Sequence, residues 1–137
     1  MQADLDVSKS IEEHEGCVWP ESEFETAMVE RVYRLRKLPL GQLKADDIRL
    51  LIGQGIAEKL LLPIALEILE SDPLIETEYY SGDLLVAVSR LDRQLFDDCC
   101  MQKLKIIVAK AMQIGFEECP DGLMDDLVKW FNEIAAY

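Results

Sequence analysis

The sequence is poor in the residues from which most catalytic and metal sites are built. It holds one histidine, His14, and four cysteines, of which only Cys99 and Cys100 are close together, so neither a CxxC pair nor a Cys–His zinc set is present. Motifs of the Glu-x-x-His, calcium-loop and phosphate-loop types are also missing. Because no nucleophile has a base or an electropositive setting beside it, we predict a protein that is not an enzyme, with no catalytic, metal or cofactor site.

Long hydrophobic runs are missing as well. The most apolar window, Leu60 to Leu69, contains Pro63 and Glu67 and is about half of the ~20 residues that a membrane-spanning helix needs. The N-terminus is acidic and no apolar segment follows Lys9, so we expect no secretory signal. The cysteines do not form the framework of a small secreted disulfide protein. These features predict a cytoplasmic protein with reduced thiols and no membrane partner.

Basic residues are scarce, with 14 Lys and Arg against 27 Asp and Glu and a net charge of −13. Residues 1–30, 45–92 and 117–137 are acidic, and residues 31–44 form a short basic stretch. A strongly acidic protein is repelled by nucleic acid and by anionic membranes, so neither is an expected partner. The charge favours either a freely soluble protein or one that binds a basic partner.

What the sequence does contain is helical spacing of apolar residues, whereas the period-two alternation of strands is not found. Half of the residues are hydrophobic, which is enough for a core. We predict an all-α fold, a single compact domain over residues 1–137 with about six or seven helices around a central apolar helix (60–70), and looser order over residues 1–20. The predicted helices cover Phe24–Leu35 behind a Ser22/Glu25 capping box, Ile48–Ile52, Leu60–Leu69, Leu84–Leu91 behind a Ser81 cap, Met101–Ile114 and Leu123–Ile134.

Asp83 is predicted in the first turn of the helix that Ser81 caps, where the helix dipole and free N–H groups stabilise a carboxylate. Arg49 comes from a helix that otherwise supplies Ile48 and Ile52 to the core. It is therefore a candidate partner for such a carboxylate. Of Cys99 and Cys100, we expect one to be a thiol of the helical core.

Three motifs, taken as a set, resemble a known family. They are RxLIGQ at residues 49–54, LxPxALExLxxxPL at residues 61–74 and YxGDLL at residues 80–85. This pattern, over about residues 35–90, resembles the immunity proteins of bacterial contact-dependent growth inhibition (CDI) systems. The resemblance implies a small cytoplasmic protein that binds and neutralises a toxin C-terminal domain delivered by a neighbouring cell. Such toxins are often nucleases whose active site the antidote blocks. A ribonuclease is the preferred hypothesis over a deoxyribonuclease.

The charge agrees with such a partner independently of the family. A nuclease holds a phosphate chain in a basic cleft, to which an acidic protein is attracted. Tyr79 and Tyr80 lie in an acidic loop, which suits an interface with a basic partner, although a loop packed down by one tyrosine explains them equally well. The predicted toxin-binding residues lie at loops and caps: Asp72, Glu76, Glu78, Tyr79, Tyr80, Glu117, Glu118, Asp121, Asp125 and Asp126.

The alternative is a non-catalytic helical adaptor or subunit of another cytoplasmic complex, which would bind through apolar grooves instead of charge. The acidic, aromatic loop near Tyr79 favours the toxin partner only weakly over this alternative. The sequence does not determine which toxin is bound, whether its active site or an exosite is covered, or whether the protein forms a homodimer.

Overall fold

The apolar segments of the chain fold as helices, as their spacing predicts. The computed structural model describes residues 5–19 and 26–114, together with Lys129 and Asn132, which are helical. Within these ranges the backbone forms isolated bridges but no β-strand. The predicted all-α class is confirmed. The α-helices are α1 (Ile11–Glu15), α2 (Ala27–Lys37), α3 (Ala45–Gly53), α4 (Glu58–Ser71), α5 (Asp83–Ser89) and α6 (Asp98–Ile114), with 3₁₀ turns at Leu40–Gln42 and Arg93–Leu95.

The centre of the core is α4, which packs against α3, α5 and α6. Leu61, Ala65 and Leu66 have no exposed surface, whereas Lys59 and Glu67 on the other side of the helix are exposed. The helix therefore buries one wide apolar face against its three neighbours. Pro63 lies in the second turn of α4 and removes one backbone hydrogen bond, and Asp72 ends the helix before Pro73. The predicted central helix is confirmed. No helix in the described ranges is both long and apolar enough to cross a membrane.

The first two helices differ from the sequence-based prediction. The helix α2 starts after Thr26, whose Oγ1 accepts a hydrogen bond from the Val29 N–H at 3.1 Å. The predicted capping box at Ser22 and Glu25 and the helix end at Gly115 lie outside the described residues. So does the predicted helix Leu123–Ile134, except for Lys129 and Asn132, which are helical. The short helix α1 was not predicted, although Ser10 and Glu13 cap it in the serine-x-x-glutamate pattern of a capping box.

A buried arginine holds α1 against α2. Arg36 is 1% exposed, and its Nη2 donates to Glu15 Oε1 at 2.7 Å and to the Cys17 carbonyl at 3.3 Å. The guanidinium also lies 3.9 Å from the ring centroid of Trp19. Because a buried charge needs several partners at once, Arg36 fixes the path of the chain from α1 to Trp19.

The turn between α3 and α4 holds Ala57 in the left-handed region, at φ 53° and ψ 36°. A side chain with a Cβ costs roughly 1–2 kcal/mol in this conformation. We expect Ala57→Gly to raise the free energy of unfolding by about 0.5–1 kcal/mol, since the larger entropy of glycine in the unfolded chain offsets part of the relief. Urea denaturation measures this change.

The matched control for this prediction is Gly55→Ala in the same turn. Gly55 has φ 72°, and an added Cβ would meet only Glu58 Oε1 at 3.9 Å, so the substitution introduces backbone strain without a clash. It should lower the free energy of unfolding by about 1 kcal/mol. If both substitutions changed stability in the same direction, strain at Ala57 would not be the reason.

Candidate functional site

The loop between α4 and α5, residues 72–82, carries predicted site residues and is called the acidic loop below. It folds around the carboxylate of Asp83, which is 3% exposed. Asp83 accepts hydrogen bonds from the Thr77 N–H at 2.9 Å, from the Thr77 hydroxyl and from the Tyr79 N–H at 3.1 Å. These bonds order the loop without any regular secondary structure.

The end of the acidic loop corrects one prediction. The N-cap of α5 is Gly82, at φ 90°, and not Ser81. The Ser81 hydroxyl instead donates to the Leu74 carbonyl at 2.9 Å. The predicted serine cap is wrong because the chain enters α5 through a left-handed residue, a conformation that glycine adopts without strain.

Arg49 and Asp83 meet, although they are 34 positions apart in the sequence. Arg49 Nε lies 3.9 Å from Asp83 Oδ2, and its guanidinium lies 4.6 Å from the ring centroid of Tyr79. The Arg49 side chain is 14% exposed, whereas Tyr79 is 70% exposed. The proposed pairing of Arg49 with a first-turn carboxylate is therefore confirmed, and it joins the RxLIGQ and YxGDLL motifs.

The predicted site residues of the acidic loop have different surroundings. Asp72, Glu76, Glu78 and Tyr79 are exposed at the surface. Tyr80 is half-buried and packs against the hydrophobic core. The remaining acidic candidates lie outside the described residues: Glu117, Glu118, Asp121, Asp125 and Asp126.

The carboxylate of Glu78 is engaged by Arg31 of α2, a contact that the sequence did not indicate. Arg31 Nη2 also lies 3.1 Å from Asp47 Oδ1 of α3. Burial alone would lower the pKa of Arg31, but the hydrogen bonds to Glu78 and Asp47 raise it, so the guanidinium stays charged. This bridge fastens the acidic loop to α2 and α3, and it neutralises part of the basic stretch 31–44.

A cleft of about 520 Å³ lies beside the acidic loop and is called the Arg49 cleft below. Its lining comes from the start of α2, the end of α3, the face of α5 and the two tyrosines of the loop. Met28, Arg49, Tyr79 and Arg90 are among these residues. The sequence did not predict the cleft, because the predicted binding residues were chosen by their charge. The RxLIGQ and YxGDLL motifs nevertheless supply several residues of the cleft lining.

The cysteines do not form a reactive centre in the described ranges. Cys17 and Cys99 are exposed, and Cys100 is the expected core thiol at 4% exposure. Burial, together with a hydrogen bond to Asp97, raises the pKa of Cys100 to about 11, so this thiol is protonated at neutral pH. Among the residues that the structure describes, no group of three His, Cys, Asp or Glu side chains is arranged to hold a metal ion.

Comparison with known proteins identifies the family. The profile of a family described as CDI immunity proteins matches residues 13–106, which is about two thirds of the chain. The matched segment contains Arg49, the acidic loop and the Arg49 cleft. No curated protein matches the sequence. This chain belongs to the family of CDI immunity proteins, which neutralise the toxins of contact-dependent growth inhibition systems.

Proposed function

We propose that this protein acts in the cytoplasm as the antidote to a CDI toxin domain that is a nuclease, with a ribonuclease preferred. The acidic loop is proposed to face the toxin's basic cleft. The observation that carries this proposal is the pair of exposed carboxylates at Asp72 and Glu76, in a stretch where no basic residue occurs between Lys59 and Arg90. A loop of this charge is complementary to a cleft that holds a phosphate chain.

The order of the acidic loop supports the same proposal. Its backbone is fixed by Asp83 and its side chain at Glu78 by Arg31, so little conformational entropy remains to be lost on binding. Tyr79 adds an exposed aromatic ring, which supplies contact area at a low entropic cost. An inhibitor of this kind needs no catalytic activity, because its presence in the toxin's basic cleft keeps the nucleic acid out.

A growth experiment tests the proposed function. The chain is co-expressed with a candidate CDI toxin domain from the same genome, and a complex is isolated by pull-down. We expect a one-to-one complex and protected growth. The toxin alone should degrade RNA, and the added immunity protein should stop the degradation. A toxin that degrades neither RNA nor DNA, or a chain that neither binds nor protects, would contradict the proposal.

Removal of charge from the acidic loop tests the mode of binding. For the double variant Asp72→Asn/Glu76→Gln, we expect toxin association to slow by about two- to tenfold at low salt, with a weaker salt dependence and a nearly unchanged dissociation rate. The reason is that exposed charges at an interface act mainly by steering the encounter. Stopped-flow association rates at several salt concentrations measure the effect.

The control is Glu13→Gln/Asp98→Asn, which removes the same charge from exposed positions in α1 and α6. Glutamine also suits the third position of the α1 capping box. The control should leave most of the salt dependence in place. Equal effects of the two double variants would mean that net charge, and not the acidic loop, steers the toxin.

A further inference from the structure

We infer that the Arg49 cleft is a socket for an uncharged, apolar side chain that projects from the toxin domain. This inference rests on the proposed function, and it adds a second element to the interface. The acidic loop attracts a basic partner, whereas the shape of the socket selects among partners of similar charge.

Exposed apolar residues gather at the mouth of the cleft. Tyr79 is 70% exposed and Met28 is 46% exposed, and both line the cleft. Val29, beside Met28, is 38% exposed. Tyrosine, methionine and arginine are the residue types that are enriched at protein interfaces, and exposed apolar clusters commonly mark such surfaces. Inside the cleft, Ile52 and Val86 provide further apolar wall.

The charges that line the cleft cancel. Arg49 and Arg90 are balanced by Glu58 and Asp83, within a chain of net charge −13. Arg49 Nε lies 3.9 Å from Asp83 Oδ2, an ion pair without a hydrogen bond. Because side chains of both signs line the cleft, a charged occupant of either sign would lie near a like charge, so the lining selects neither sign. The apolar wall formed by Met28, Ile52 and Val86 then favours an uncharged, apolar occupant.

The wall of the socket is held in place before any partner binds. Tyr79 is fixed through its backbone N–H, 3.1 Å from Asp83 Oδ2, and through its ring, 4.6 Å from the Arg49 guanidinium. A pocket that is formed before binding lowers the entropic cost of association, and interface hot-spot residues usually fill well-packed pockets. Because Asp83 also orders the acidic loop, the loop and the socket form one continuous surface.

The variant Gly53→Phe blocks the socket. Gly53 is the exposed last residue of α3, and a Cβ added there would meet only Arg49 Nη1, at 4.0 Å. We expect about a hundredfold faster dissociation of the cognate toxin domain from Gly53→Phe, with an association rate close to that of the wild type. The matched control is Gln102→Phe, at an exposed position of α6 that does not line the cleft, and it should bind as the wild type does.

Tyr79→Ala gives an independent test. The tyrosine side chain forms part of the socket wall, and because it is exposed, its loss should disturb the fold little. The variant should raise the dissociation rate by about tenfold or more, and its urea denaturation midpoint should stay close to that of the wild type. The proposed function fails if the wild-type chain does not bind the toxin. If the wild type binds and a folded Gly53→Phe or Tyr79→Ala dissociates at the wild-type rate, the socket is disproved while the proposed function stands.

Discussion

Asp83→Ala is expected to lower the free energy of unfolding by about 3–5 kcal/mol, which is the usual cost of removing one partner from a buried ion pair. The carboxylate is 3% exposed and accepts three hydrogen bonds from Thr77 and Tyr79. Its loss leaves these donors unsatisfied and leaves the charge of Arg49 without its partner. We expect the same change to disorder the acidic loop and the wall of the Arg49 cleft, so toxin binding should weaken together with stability.

Urea denaturation measures the first effect, and hydrogen exchange at the amides of Thr77 and Tyr79 measures the second. The control is Asp83→Asn, which keeps the volume and one carbonyl oxygen but removes the charge that faces Arg49. It should cost about half as much, since part of the hydrogen bonding is retained. If the alanine variant were as stable as the wild type, Asp83 would not be what holds the loop.

Arg36→Met is expected to lower the free energy of unfolding by about 2–3 kcal/mol, below the full cost of breaking a buried pair because Glu15 can turn to water. Methionine fills much of the volume of the buried arginine side chain. It makes neither the hydrogen bonds to Glu15 and Cys17 nor the cation–π contact with Trp19. The segment from α1 to Trp19 should then separate from α2, with faster amide exchange over residues 11–17.

The matched control for Arg36 is Lys37→Met, one residue further along α2. Lys37 Nζ lies 3.2 Å from Glu12 Oε1, but its side chain is 43% exposed. Without Lys37, Glu12 still has Arg36 Nη1 at 3.7 Å, and a pair with one exposed partner contributes about 0–1 kcal/mol, so the control should leave α1 in place. Equal losses for the two variants would show that charge near α1 matters and that the burial of Arg36 does not.

The acidic loop shows which features of the candidate site the sequence predicted and which it did not. Asp72, Glu76 and Tyr79 were predicted from charge and composition, and the structure places all three at the surface. Glu78 was predicted for the same reasons, yet Arg31 engages its carboxylate. Composition does not distinguish the acidic residues of a loop from one another. The packing of α2 against the loop decides which of them already has a partner.

The sequence by itself determined the helical class, the central helix and the family. Apolar periodicity is a local property of consecutive residues, so it predicted the positions of α3, α4 and α6 before any contact was known. Only the tertiary structure decided that Arg49 meets Asp83, that Gly82 and not Ser81 begins α5, and that a cleft opens beside Tyr79. Such features depend on distances between segments remote in the sequence, and those distances are set when α3 and α5 pack on α4.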